Sequence, residues 1–185
     1  MKNSPDKLIR SFLITAAIII SGLVLSCENK LDVIPESDLL TLPSLTVKDF
    51  ETIYTDSGRI KLIMTSPIME KYDKAEVPYS EFRSGIALKY YDGNKEPIGS
   101  VTSKYAKFTE SENLWELRDS VVVINKEKDM LETEVLYWDQ QKDKIFTDRF
   151  VKITSVDQVI QGFGFESDSK LQRRRIRKVS AIIYQ

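Results

Sequence analysis

Residues 114–168 alternate apolar and polar side chains with a period of two, in runs too short for helices of ordinary length. Polar clusters at 125–129, 139–144 and 154–158 cut the runs apart. A strand sends successive side chains to opposite faces, so this pattern predicts half-buried strands joined by tight turns, an antiparallel meander. One run breaks the rule. Leu131, Thr133, Val135 and Tyr137 fall on one face, yet Leu136 and Trp138 fall on the other. That strand is either apolar on both faces near its end or bulged.

The preceding chain carries the same signal. Residues 45–65 read as a hairpin turning at Asp56-Ser57-Gly58, and Pro67 is expected to end its second strand or place it at an edge. Residues 68–80 have no clean period, and Pro78 excludes a long helix there. Residues 85–91 and 98–108 read as strands on either side of Asp92-Gly93-Asn94, a strong hairpin turn. After residue 168 comes a basic run, Arg173-Arg174-Arg175 with Arg177 and Lys178, then an apolar strand over 179–184. The run suits a solvated strand edge or an anionic partner, and the charge balance of the whole chain favours the edge.

Composition narrows the function. The chain has 27 basic and 28 acidic residues, so it lacks the basic surface that nucleic-acid binding requires, and no nucleic-acid partner is expected. There is no histidine, which removes imidazole acid–base chemistry, His-based triads and most zinc sites. No phosphate-binding glycine loop and no CxxC pair occurs. No cofactor, metal or catalytic residue is expected.

The first 27 residues read as a targeting segment. Lys2, Lys7 and Arg10 precede an apolar run over 12–25, shorter than a full membrane span. The run ends in Val24-Leu25-Ser26-Cys27, which resembles a bacterial lipobox, and Cys27 is the only cysteine. The expectation is a signal peptide over 1–27 with Cys27 lipidated and the protein anchored to a membrane. The competing reading is an uncleaved signal anchor. Residues 28–44, with Pro35 and Pro43, read as a tether to one domain over 45–185.

The ordered strands resemble the LptC family, the periplasmic component of lipopolysaccharide export. The resemblance rests on Trp115-Glu116-Leu117-Arg118-Asp119-Ser120-Val121, Leu131-Glu132-Thr133-Glu134-Val135-Leu136 and Ile145-Phe146-Thr147-Asp148. It continues through Ile160-Gln161-Gly162-Phe163-Gly164-Phe165 and the earlier strand at Gly85-Ile86. It implies an all-β fold, a twisted V-shaped antiparallel β-jellyroll with an apolar interior. It also implies a non-enzymatic lipopolysaccharide-binding component. Such a protein receives glycolipid from an inner-membrane ABC transporter and passes it through an exposed sheet edge to a periplasmic bridge protein.

Trp115, Leu117, Val121, Leu136, Trp138, Phe163 and Phe165 are the candidates for the lipid lining, each also suited to ordinary core packing. Gly162 and Gly164 offer either clearance for lipid or sheet curvature. The implied location is the periplasmic side of the inner membrane, with the outer membrane open if the lipobox is used. Many family members keep a transmembrane helix where this chain has a shorter run and a cysteine.

Two readings of other classes remain. One is an outer-membrane surface lipoprotein that binds glycan or protein through its aromatic residues. The other is a carboxylate glycosidase using Glu132 and Glu134, which alternation would place on one strand face.

Overall fold

A computed structural model describes residues 41–184 apart from 94, 170 and 172. The segment 1–27, Cys27 and the tether up to residue 40 lie outside the described residues. Eleven strands make a single antiparallel sheet. They are β1 (Leu45–Asp56), β2 (Arg59–Tyr72), β3 (Tyr79–Phe82), β4 (Ile86–Tyr90), β5 (Gly99–Ser103) and β6 (Tyr105–Thr109). There follow β7 (Leu114–Ile124), β8 (Met130–Asp139), β9 (Lys144–Thr154), β10 (Gln158–Ser167) and β11 (Arg175–Tyr184). Helical structure among the described residues is one 3-10 turn, Glu110–Glu112. The sheet is all-β, as the alternation implies, and of β-jellyroll type, as the resemblance implies.

The connectivity is simpler than the strand count. β3 pairs with β6 and β4 with β5, so β3–β4 and β5–β6 are two long strands, interrupted at residues 83–85 and at Lys104. The strand expected over 98–108 is therefore real but broken in the middle. With these merged, the chain is an up-and-down meander from β1 to β11.

One line of irregularities crosses this meander. The pairings of β7 with β8, β8 with β9, β9 with β10 and β10 with β11 each slip register near mid-strand. Backbone φ turns positive along the same line at Asp49, Gly85, Asp119, Ser120 and Gly164. An extra residue on one strand bends it and sharpens its twist. Repeated strand after strand, these bulges fold the sheet into two leaves. The first leaf holds β3, β6 and residues 114–118, 135–139, 144–147 and 165–167. The second holds β4, β5 and residues 121–124, 130–133, 150–154 and 159–162.

Buried hydroxyls sit on the fold line. Ser66 Oγ lies 2.8 Å from the carbonyl oxygens of both Ile68 and Gly85. Ser103 Oγ donates to Tyr105 O at 2.9 Å. Thr133 Oγ1 donates to Phe150 O at 2.8 Å, and Thr147 Oγ1 accepts the Arg149 N–H at 3.1 Å. A bulge frees backbone groups from the ladder, and short hydroxyl side chains are the groups that can reach them locally. Pro67 belongs to the same line. The expectation is that it ends its strand or places it at an edge, but β2 runs on to Tyr72 and is paired on both sides, by β1 and by β3 and β4. Proline is tolerated there because it faces Asp49, whose left-handed backbone already interrupts the ladder to β1.

The core lies between the leaves. Phe82, Ala106, Leu117, Leu136, Ile145 and Phe165 of the first leaf meet Met64, Leu88, Val121, Val123, Leu131 and Ile153 of the second in one apolar cluster.

Candidate functional site

Strand pairing sets the interior of the first leaf. Trp115 stands opposite Trp138, and Leu117 opposite Leu136, across the β7–β8 ladder. Trp115 stacks on Phe108 with ring centres 4.8 Å apart, and on Phe82 at 5.7 Å. Phe50 of β1 adds a tilted contact to Phe82 at 5.8 Å. The inner face thus carries an aromatic file from the β1 side of the sheet towards its centre, each pair adding specificity to burial.

Two adjoining cavities open between the leaves. The inner one, about 230 Å³, is lined by Leu117, Leu136, Trp138 and Ile145 from the first leaf and by Tyr90, Val101 and Val123 from the second. Its neighbour, about 280 Å³, shares Tyr90, Val101, Val123 and Ile145 and opens past Ile98 and Lys126. The inner lining contains no charged group. Tyr90 is its one ionisable side chain, and burial pushes that phenol up to about 12, so it stays neutral at any physiological pH. Trp138 Nε1 is buried with no hydrogen-bond partner among the described residues. The arrangement is an apolar slot suited to hydrocarbon.

Of the seven lining candidates, the structure brings six to this interior. Leu117, Val121, Leu136 and Phe165 are buried between the leaves, and Trp115 and Trp138 pack against them. Leu117, Leu136 and Trp138 touch the cavity directly. Phe163 goes elsewhere: it is 51% exposed and packs edge-on against Phe150 on the outer surface. Phe163 and Phe165 would share a face in a regular strand. The bulge at Gly164, φ 74°, turns one out and the other in.

The same effect resolves the ambiguous strand β8. The register slips between Thr133 and Tyr137, so Leu131 and Thr133 point inward before the bulge, and Leu136 and Trp138 after it. Gly162 and Gly164 serve curvature and close packing. A Cβ on Gly162 would lie 2.4 Å from the Lys178 carbonyl oxygen, and one on Gly164 would meet the Arg177 side chain.

Beside the exposed Phe150 and Phe163, charged side chains of the outer surface pair with one another. Arg83 bridges Glu70 and Glu81 at 3.1 and 2.8 Å and donates to the Tyr72 hydroxyl at 2.5 Å. Glu132 pairs with Lys152 at 3.1 Å, so its carboxylate is engaged outside the slot. No cluster of three potential metal ligands occurs among the described residues.

The residues that sequence reasoning missed are Tyr90, Val101 and Ile145, which complete the cavity, and Leu171, which is buried at its mouth. The first three carry a signal, as each sits at an inward position of its own strand. Leu171 follows β10 in a polar segment and carries none.

Eleven antiparallel strands folded along a line of bulges onto an apolar slot define a β-jellyroll with a hydrocarbon-compatible interior. The family model described as "LptC: Lipopolysaccharide-assembly, LptC-related" matches residues 12–184, nearly the whole chain, and the chain belongs to that family. Its role is therefore in lipopolysaccharide transport, as a component of the cell envelope. A comparison with curated proteins finds no match. No helix among the described residues is long and apolar enough to cross a membrane.

Proposed function

We propose that the slot between the two leaves holds acyl chains of lipopolysaccharide while the glycolipid crosses the periplasm. In this reading the protein performs no bond chemistry. It receives the lipid from the inner-membrane ABC transporter of the export system and passes it to a periplasmic bridge protein. The carrying observation is the uncharged cavity bounded by Leu117, Leu136 and Trp138 on one leaf and Val101 and Val123 on the other. Acyl chains placed there leave water without meeting a buried charge.

The two ends of the sheet supply the means of hand-over. β1 and β11 are each paired on one side only. β11 exposes Val179, Ile182, Ile183 and Tyr184, and an unpaired edge of this kind accepts a further strand from another sheet. The N-terminal segment, with Cys27 acylated, holds the domain on the periplasmic side of the inner membrane. An acylated terminus anchors without inserting a helix between transporter subunits.

The test is photo-crosslinking in cells. Crosslinkers at Leu117 and Leu136 are expected to capture lipopolysaccharide only while the transporter is active. Those at Lys142 and Phe163, on the outer surface, are expected not to. Equal capture at all four positions, or capture indifferent to the transporter, contradicts the reading.

A further inference from the structure

The connection from β10 to β11 does more than reverse the chain. It leaves the first leaf at Ser167, and β11 begins again beside that leaf, with Arg175 opposite Glu166 and Ile176 opposite Phe165. The Ser169 N–H donates to Asp143 Oδ1 at 3.3 Å, on the first leaf's β8–β9 turn. Leu171 adopts a left-handed backbone, φ 57°, and is 5% exposed in the mouth of the larger cavity, between Ile145 of one leaf and Val123 of the other.

Arg174 then ties this connection to the second leaf. Its Nη1 lies 2.6 Å from Asp129 Oδ2, in the β7–β8 turn. Asp129 is nearly buried and is held from several sides. Its N–H donates to Asn125 Oδ1 at 2.9 Å, its backbone oxygen accepts the Asn125 N–H, and its carboxylate is also hydrogen-bonded by Ser155. The carboxylate thus belongs to a rigid turn, and the guanidinium reaches it from the other leaf.

The position of this ion pair matters because of what lies on each side of it. On one side are the two cavities around Leu136 and Trp138, and Asn125 lines the nearer of them. On the other is a third cavity of about 340 Å³ toward the free edge, lined by Ile153, Ile160, Ile176, Val179 and Ile182, with Ser155 and Arg174 at its border. Both compartments are lined mainly by apolar side chains; Leu171 lines the first and Arg174 the second, so the Arg174–Asp129 pair and Leu171 lie where the two approach each other.

We infer that Arg174 and Asp129 form a clasp between the leaves which, with Leu171, divides the slot into an inner and an edge compartment and must part for an acyl chain to reach the β11 edge. This rests on the proposal that the slot carries acyl chains. It adds a control point on that path. Leu171 occupies the space a hydrocarbon segment would fill, so an arriving chain can replace its contacts. The ion pair has no such replacement and sets the resistance.

The experiment uses the full chain in cells bearing the export system. Asp129→Cys and Arg174→Cys are introduced together and joined with a reducible bis-thiosulfonate linker. Photo-crosslinkers report lipopolysaccharide at Leu136, before the clasp, and at Ile182, beyond it. The wild type, whose one cysteine is Cys27, is the linker control. Linking is expected to keep or raise capture at Leu136 and to lower capture at Ile182 at least ten-fold, with recovery on reduction. Arg174→Gln, which removes the ion pair without a linker, is expected to raise the Ile182-to-Leu136 ratio several-fold. Unchanged capture at Ile182 in the linked protein, or an unchanged ratio in Arg174→Gln, overturns the clasp alone. Absence of capture at Leu136 in every state overturns the acyl-chain reading, and the clasp with it.

Discussion

At the scale of single residues, the fold depends on polar atoms where alternation calls for hydrocarbon. Thr133 is buried, and its hydroxyl is what the Phe150 carbonyl oxygen bonds at the bulge. Thr133→Val keeps the shape and removes the donor, which takes this part-buried hydrogen bond from the Phe150 carbonyl. The expected loss is about 1–3 kcal/mol, measured by chemical denaturation. Gly162 makes a steric case. Its missing Cβ lets the Lys178 carbonyl approach, so Gly162→Ala is expected to force β11 outward and cost about 1–3 kcal/mol. Hydrogen exchange should rise in β11 and stay low in β7 and β8. Uniform exchange across the sheet would show that the contact has no local role. Phe163 shows why such residues were illegible. Counting by two from Phe165 puts it inside, and only the left-handed turn at Gly164 reverses that.

At the scale of elements, strands and turns were readable because each run keeps its period between bulges. β7 to β10 begin and end within a few residues of the polar clusters that delimit them. The leaves were not readable. The fold line is written in Ser66, Ser103, Thr133 and Thr147, and a serine or threonine inside an alternating run looks like noise until its carbonyl partner is known. The turns make a pH prediction. Burial pushes the Asp129 carboxyl up, but hydrogen bonds from Ser155, Arg174 and Asn125 outweigh it and hold the group below its ordinary 3.8. Asp139 is held low by the Lys142 ammonium and backbone N–H. A carboxylate depressed in the fold stabilises above its unfolded value and loses that contribution as pH falls through the folded one. The denaturation midpoint is therefore expected to be flat near neutrality and to fall below about pH 4. Asp129→Asn should flatten that fall, and an unchanged slope would contradict the assignment. The free edge makes another prediction. Ile182→Lys together with Ile183→Lys is expected to abolish co-isolation with the periplasmic bridge protein while the strand signal in circular dichroism persists. Undiminished co-isolation would place the contact elsewhere.

At the scale of the whole molecule, a meander folded once along its bulges would serve the proposed transport with few parts. The inner face of a single sheet is apolar between its bulges, and folding it over encloses the cavities beside Trp138, which in the proposed function hold the lipid without a separate tunnel. Nucleotide chemistry is not needed in this chain if the transporter supplies the work. In the proposed function hydrocarbon lies between the leaves, next to Trp138. The most direct measurement of this is fluorescence quenching by lipopolysaccharide whose acyl chains carry bromine, in a Trp115→Phe background that leaves Trp138 as the only indole. Strong quenching of Trp138 by the brominated lipid, and none by the same glycan stripped of its acyl chains, is the expected result. Bound lipid that leaves Trp138 unquenched, or quenching that does not require acyl chains, would contradict it.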